Sequence, residues 1–297
     1  MFAAARPHQR RGALLGVALA LALAVGMGTG AALPASASTG STPQIIGGHP
    51  TPIGAYPFQA ALIDLTRAGS DYDRQICGGT LIAPTWVLTA AHCVTEGGVT
   101  TTPAQLKIVL GRTSLTSHNG ESHTVKAIYW SARYREDTDA DDVALVQLTT
   151  PSAYVPIAVA SAAQDSFETP GTMLTVIGWG DVVAQPALQD PANLFYPKRL
   201  RVVQVPVVSD RVCKDAYAAV GDVIVASRTV CAGATGLDAC YGDSGGPMFA
   251  TTPSGPVQVG IVASGEGCGA TGFPGTYTEV NARTVRTFIS STMANVR

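Results

Sequence analysis

Gly242-Asp243-Ser244-Gly245-Gly246-Pro247 sets one serine among glycines. Small neighbours let the backbone turn sharply and let a substrate come close to the hydroxyl, which suits a nucleophile. The backbone N–H groups of Gly242 and Ser244 can converge on one point, as stabilisation of an oxyanion requires. Alone, the stretch is better read as a glycine-rich turn between strands. Its meaning depends on what the rest of the chain supplies.

Two other places supply it. Thr89-Ala90-Ala91-His92-Cys93 follows an apolar strand at 86–88, and Asp142 opens an apolar strand at 143–148. A carboxylate at the head of such a strand is costly to bury without a partner. A serine hydroxyl needs a general base, and the base needs a group that fixes its tautomer and steadies the imidazolium. Ser244, His92 and Asp142 are the three types required. Asp139 and Asp141 are near alternatives for the third, though neither abuts the apolar strand.

Around these residues the chain reads as all-β. Runs rich in β-branched or aromatic residues recur at 106–110, 125–130, 143–148, 173–179, 200–208 and 257–262, each bounded by Gly, Pro, Ser or Asp. One helix is expected at the end, with Asn281 as N-cap and Val285, Phe288, Ile289 and Met293 on one face. The stretches 67–75 and 181–198 read as surface loops without chemical groups, and His49, His118 and His123 as surface histidines. Net charge is −2 and only 13% of residues are charged, which excludes the basic field of a nucleic-acid binder.

The N-terminus stands apart. Arg6, Arg10 and Arg11 precede an apolar run at 13–33, and Ala35-Ser36-Ala37 offers the small residues of a cleavage site. A secretory signal over 1–37 is expected, with an uncleaved anchor as the alternative. Residues 38–44 then form a short propeptide. Export gives the cysteines their meaning: Cys77, Cys93, Cys213, Cys231, Cys240 and Cys268 are an even set in an oxidising compartment, so three disulfides are expected. No C-x-x-C pair is present, which argues against zinc. Fifteen pairings remain open on spacing alone.

Taken together, Ile45-Ile46-Gly47-Gly48, Cys77-Gly78-Gly79, the His92 and Asp142 segments, Gly178-Trp179-Gly180, Cys240 through Pro247, and Pro274-Gly275-Thr276-Tyr277 resemble the chymotrypsin–trypsin family of serine peptidases, most closely secreted bacterial trypsins. The order His, Asp, Ser is that family's order. The resemblance implies two six-stranded antiparallel β-barrels packed face to face, with a short C-terminal α-helix. The first barrel would span about 45–160, the second about 161–283 and the helix 284–297, all within a peptidase domain at 45–297. It also implies the pairs Cys77–Cys93, Cys213–Cys231 and Cys240–Cys268. Cleavage before Ile45 would free an amine that pairs with Asp243.

The same resemblance places Asp238 at the base of the specificity pocket and Gly265 and Gly275 on its walls. A carboxylate at the bottom of an apolar slot is satisfied by a cation, so protein and peptide substrates with Arg or Lys are expected. Ala263-Ser264-Gly265 departs from the usual Ser-Trp-Gly, losing a hydroxyl for the triad aspartate and an apolar wall beside the second and fourth subsites. No cofactor and no metal set is expected. The calcium loop of many relatives would fall at 112–122, where only Glu121 is acidic. A secreted, extracellular monomer that needs an activating protease is the resulting picture. A catalytically dead binding protein and an esterase are its rivals, and the intact triad and Asp238 respectively speak against them.

Overall fold

Apolar and alternating runs become sixteen strands among the described residues of the computed structural model, which are 45–185 and 194–296. The expected signal segment, the propeptide and part of the 181–198 loop lie outside them. The first closed barrel uses β2 (Gln59–Asp64), β3 (Gln75–Ala83), β4 (Trp86–Thr89), β7 (Leu106–Leu110), β8 (Glu121–Trp130) and β9 (Ala144–Leu148), in the order β2-β3-β4-β9-β8-β7. A small hairpin of β5 (Thr95–Glu96) and β6 (Val99–Thr100) projects from it. Leu62, Leu81, Leu88, Ile108, Leu110 and Leu145 are fully buried. Full burial of such a side chain contributes about 1.5–3 kcal/mol.

The second barrel is built from β11 (Met173–Gly178), β12 (Arg201–Val208), β13 (Thr229–Ala232), β14 (Pro247–Thr252), β15 (Gly255–Ser264) and β16 (Gly275–Glu279). Its order is β12-β11-β14-β15-β16-β13, and the pairs Val207↔Ala232 and Val208↔Cys231 close it. Both barrels are six-stranded and antiparallel. Rings at their junction meet edge to face, with Phe58 and Phe249 centroids 5.7 Å apart. The C-terminal helix lies on this junction, and its Val285 and Ile289 join the same core.

The ends of the 45–160 stretch also pair with the second barrel. β1 (His49–Pro50) hydrogen-bonds to β12, and β10 (Ala158–Val159) to β15, so the chain straps both barrels together on entry and on crossing. Several expectations need correction. The last helix runs Arg283–Asn295 from Ala282 as N-cap, while the Asn281 amide donates to Asp165 Oδ1 at 2.8 Å. A second helix, beyond the one expected at the end, runs Asp210–Ala218, where Ser209 caps it by accepting from Val212 N and Asp210 opens its first turn. His123 is not a surface residue: it is buried, with Nε2 against Glu121 at 2.9 Å.

The stretch 67–75 also does more than expected. It contains a short helix, Asp71–Arg74, whose Asp71 binds Lys107 at 2.5 Å and Arg112 at 2.7 Å. Arg112 is buried and donates through Nε to the Asn119 carbonyl at 2.9 Å. Glu121, the acidic residue of the stretch 112–122, opens β8 and accepts from Ser152 Oγ at 2.6 Å and from Ala153 N at 3.1 Å. The one acidic side chain of that stretch is thus engaged by groups of the chain itself.

Candidate active site

Strand register brings the first two site residues together. β4 and β9 pair antiparallel with Thr89 opposite Ala144. His92 leaves the end of one strand as Asp142 enters the start of the other. The Asp142 carboxylate is fully buried and accepts twice from the same residue: Oδ2 lies 2.7 Å from His92 Nδ1, and Oδ1 takes the His92 backbone N–H at 2.9 Å. That double hold fixes the proton on Nδ1 and leaves Nε2, 3.7 Å from Cys93 Sγ, as the unprotonated nitrogen. Burial presses the His92 pKa down, but the charge and hydrogen bond of Asp142, with a further push from Asp139, leave it raised above 6.5.

The two alternatives for the carboxylate are engaged elsewhere. Asp141 pairs with Arg228 at 2.7 Å and also bonds Thr284 Oγ1. Asp139 carries φ 49°, a conformation in which a non-glycine residue is held only by its surroundings, and hydrogen-bonds Ser264.

Ser244 arrives from the second barrel. Its carbonyl accepts from Gly78 N at 2.7 Å, and a Cβ on the next residue, Gly245, would collide with Thr89 Oγ1. Only glycine lets this loop approach the histidine strand so closely, with φ 77° at Gly245 and 92° at Gly242. Among the described residues no hydrogen bond joins Ser244 Oγ to His92. Such bonds are often long in an unliganded site and tighten when substrate binds. The cysteine beside the histidine is in the Cys77–Cys93 disulfide, and Cys213–Cys231 and Cys240–Cys268 are the other two.

Asp238 and Asp243 flank this loop, both buried. Asp238 Oδ2 accepts from Gly269 N at 3.0 Å, its Oδ1 has no partner, and burial pushes its pKa up to about 7. Gly275 lies against that oxygen, Gly265 is half-buried nearby, and Cys240–Cys268 ties the two walls. Asp243 Oδ1 accepts from Gly180 N at 2.7 Å and Oδ2 from Cys240 N at 3.0 Å, and burial pushes it too to about 7. Ile45 is fully buried in the second-barrel core, and the carbonyl of Ile46 accepts from Asp238 N at 3.2 Å. The start of the described chain therefore backs directly onto the pocket.

The departure at Ala263-Ser264 takes a definite form in the structure, and one further contact is not legible in the sequence. Ala263 offers no hydroxyl to Asp142, and Ser264 is bound instead to Thr276 Oγ1 at 2.9 Å. A cavity of about 210 Å³ opens beside Ser264, lined also by Asp139, Glu136 and Asp222, so polar side chains border the space beside the residue that replaces the family's tryptophan. Gln75, inside a stretch read as a plain loop, donates from Nε2 to the Gly242 carbonyl at 2.9 Å. No residue pattern announces that contact, since its partners are 167 positions apart.

Comparison with known proteins agrees with this geometry. The family model for trypsin matches residues 45–289. A trypsin of Saccharopolyspora erythraea is 36% identical over 240 residues, covering 80% of this chain and 94% of the relative. A mouse tryptase is 36% identical over 244 residues, with 80% and 84% covered. A trypsin-like protease of Streptomyces glaucescens is 35% identical over 251 residues, with 84% and 82% covered. The chain belongs to the trypsin family: it is a trypsin-like serine peptidase, a hydrolase of protein and peptide substrates.

Proposed function

We propose that the chain is a secreted endopeptidase that cuts after arginine and, less well, after lysine, with His92, Asp142 and Ser244 as its triad. Ser244 Oγ attacks the scissile carbonyl while His92 Nε2 takes its proton, and Asp142 holds the imidazolium that forms. The N–H groups of Gly242 and Ser244 receive the oxyanion. His92 then protonates the leaving amine, and water repeats the sequence on the acyl-enzyme. The basic start, apolar run and Ala35-Ser36-Ala37 of the first 37 residues support secretion, and residues 38–44 are proposed as a propeptide removed by another protease. A monomer is sufficient for this chemistry.

One observation carries the specificity: Asp238 is 3% exposed, has a free oxygen, and pairs with no cation among the described residues. A guest guanidinium would supply the missing charge. The test is hydrolysis of matched arginine, leucine and phenylalanine anilides by the protein cut before Ile45. Turnover of the arginine substrate, abolished in Ser244→Ala, is expected. Preference for an apolar substrate, or activity that survives Ser244→Ala, overturns the reading.

A further inference from the structure

The carbonyls of Tyr241, Gly242, Asp243 and Ser244 are all held. Tyr241 O accepts from Asp181 N at 2.8 Å, Asp243 O from Gly246 N at 2.9 Å, and Ser244 O from Gly78 N at 2.7 Å. Gly242 O accepts from Gln75 Nε2 at 2.9 Å. Three of these four donors are backbone groups. Gln75 is the one side chain, and it reaches across from the first barrel.

Gly242 is also where the loop is most free to turn. At φ 92° it occupies a region that glycine enters and leaves at little cost. Rotation about its backbone bonds would carry the Gly242 and Ser244 N–H groups out of convergence. Groups from both barrels surround it: Tyr72 Oη, from the first, donates to the Tyr196 carbonyl at 2.7 Å, and the Tyr196 ring edge, ahead of β12, lies 3.0 Å from where a Cβ on Gly242 would stand. Gln75 follows Tyr72 on the same short segment, so the tether is anchored on a rigid element.

We propose that Gln75 is a positioning residue for the oxyanion hole, holding the Gly242 carbonyl outward so that the Gly242 and Ser244 N–H groups stay aimed at the developing charge. This rests on the triad and oxyanion assignment proposed above. Glutamine suits the task because its amide donates at every pH, so the hold does not titrate with the catalytic histidine. A carboxylate at the same place would set acceptor against acceptor when ionised.

The test compares Gln75→Ala, the nearly isosteric Gln75→Met, and Gln75→Glu with the unaltered, activated enzyme. The readouts are kcat and KM on an arginine anilide, and affinities for benzamidine and an arginine trifluoromethyl ketone. Benzamidine reads only the pocket, whereas the ketone forms an oxyanion on Ser244. Deleting an oxyanion donor outright costs 10²–10³-fold in kcat; loosening one is expected to cost about tenfold, with KM changed by less than about twofold. Ketone affinity should fall by the same factor while benzamidine binding holds, and Gln75→Glu should be the worst of the three at pH 8. Unchanged kcat in both Gln75→Ala and Gln75→Met overturns the proposal. So does parallel loss of ketone and benzamidine binding, which marks general loosening. If the unaltered enzyme fails on the arginine anilide, it is the function reading that falls, not the role of Gln75.

Discussion

Asp238 turns its unpaired Oδ1 toward Gly275, and a Cβ added to Gly275 would overlap that oxygen. The space in front of the carboxylate therefore depends on the lack of one methyl group. Gly275→Ala should close the pocket floor and weaken benzamidine and arginine substrates together, mainly through KM. Asp238→Ser removes the charge and should cost about 2–5 kcal/mol on arginine substrates, typical of losing one partner of a buried charge pair. Steady-state kinetics on arginine and leucine anilides checks both. An arginine preference that outlives Asp238→Ser would place the recognition elsewhere.

Arginine should be preferred over lysine. Arginine's planar fork reaches a carboxylate directly, whereas the shorter ammonium of lysine benefits from an added acceptor. The neighbour that would provide a hydroxyl is Ala239, which is buried beside Asp238. Ala239→Ser should narrow the gap by improving lysine. Equal kcat/KM on matched substrates in the unaltered enzyme would sink this expectation.

The pH dependence separates the two buried carboxylates from the histidine. His92 must be neutral to act as base, and its pKa is raised above 6.5, so kcat/KM should fall as pH drops through a value above 6.5. Asp142→Asn should lower that histidine pKa and cut kcat by about 10⁴-fold. Histidine titration by NMR in a Ser244→Ala background reads the first effect without activity. Asp238 adds a second dependence: the empty pocket holds a proton up to about pH 7, and a cationic guest needs the ionised form. Benzamidine affinity should thus weaken below pH 7. The unliganded fold should also lose stability as pH rises from about 4 to 7, because the folded state binds a proton that the unfolded chain has released. Thermal melts across that window, with and without benzamidine, test the sign.

What could be read in advance follows from how each feature is encoded. Strands such as Leu106–Leu110 and Arg201–Val208 announce themselves locally through β-branched runs bounded by turn residues. The triad types were legible because a lone carboxylate heading an apolar strand and a serine among glycines are each costly without a purpose. Gln75, Arg112 and Asp181 were not. Each is an ordinary polar residue whose importance lies in bonds that only the folded chain assembles, such as Arg112 Nη1 to Asp71 at 2.7 Å, 41 positions away. His123 failed for the reverse reason: polar neighbours in sequence concealed a strand position that burial decides.

Activation should turn on Asp243. Its carboxylate is fully buried, held by two backbone N–H groups, and pushed up to about 7, with no cationic partner among the described residues. Cutting before Ile45 would create an α-ammonium, with an ordinary pKa of about 7.7–8.0, on a residue already packed in the second-barrel core. Pairing should lower Asp243 and raise the amine. In the uncut chain the raised Asp243 makes stability fall as pH climbs from about 4 to 7. In the cut chain the amine's contribution should be complete below about 7.7 and lost only as pH rises through its raised value. Cleaved and uncleaved proteins should therefore diverge most in melting temperature near neutrality. Gln44, preceded by Pro43, stands before that bond, and a neutral amide leaves Asp238 without a counter-charge. The mature enzyme should accordingly be a poor activator of its own precursor. Residues 38–297 carrying Ser244→Ala, incubated with trace mature enzyme, should keep their original N-terminus, whereas a protease with a different specificity should expose Ile45. Prompt release of Ile45 at a rate proportional to the added mature enzyme would show that the chain matures itself.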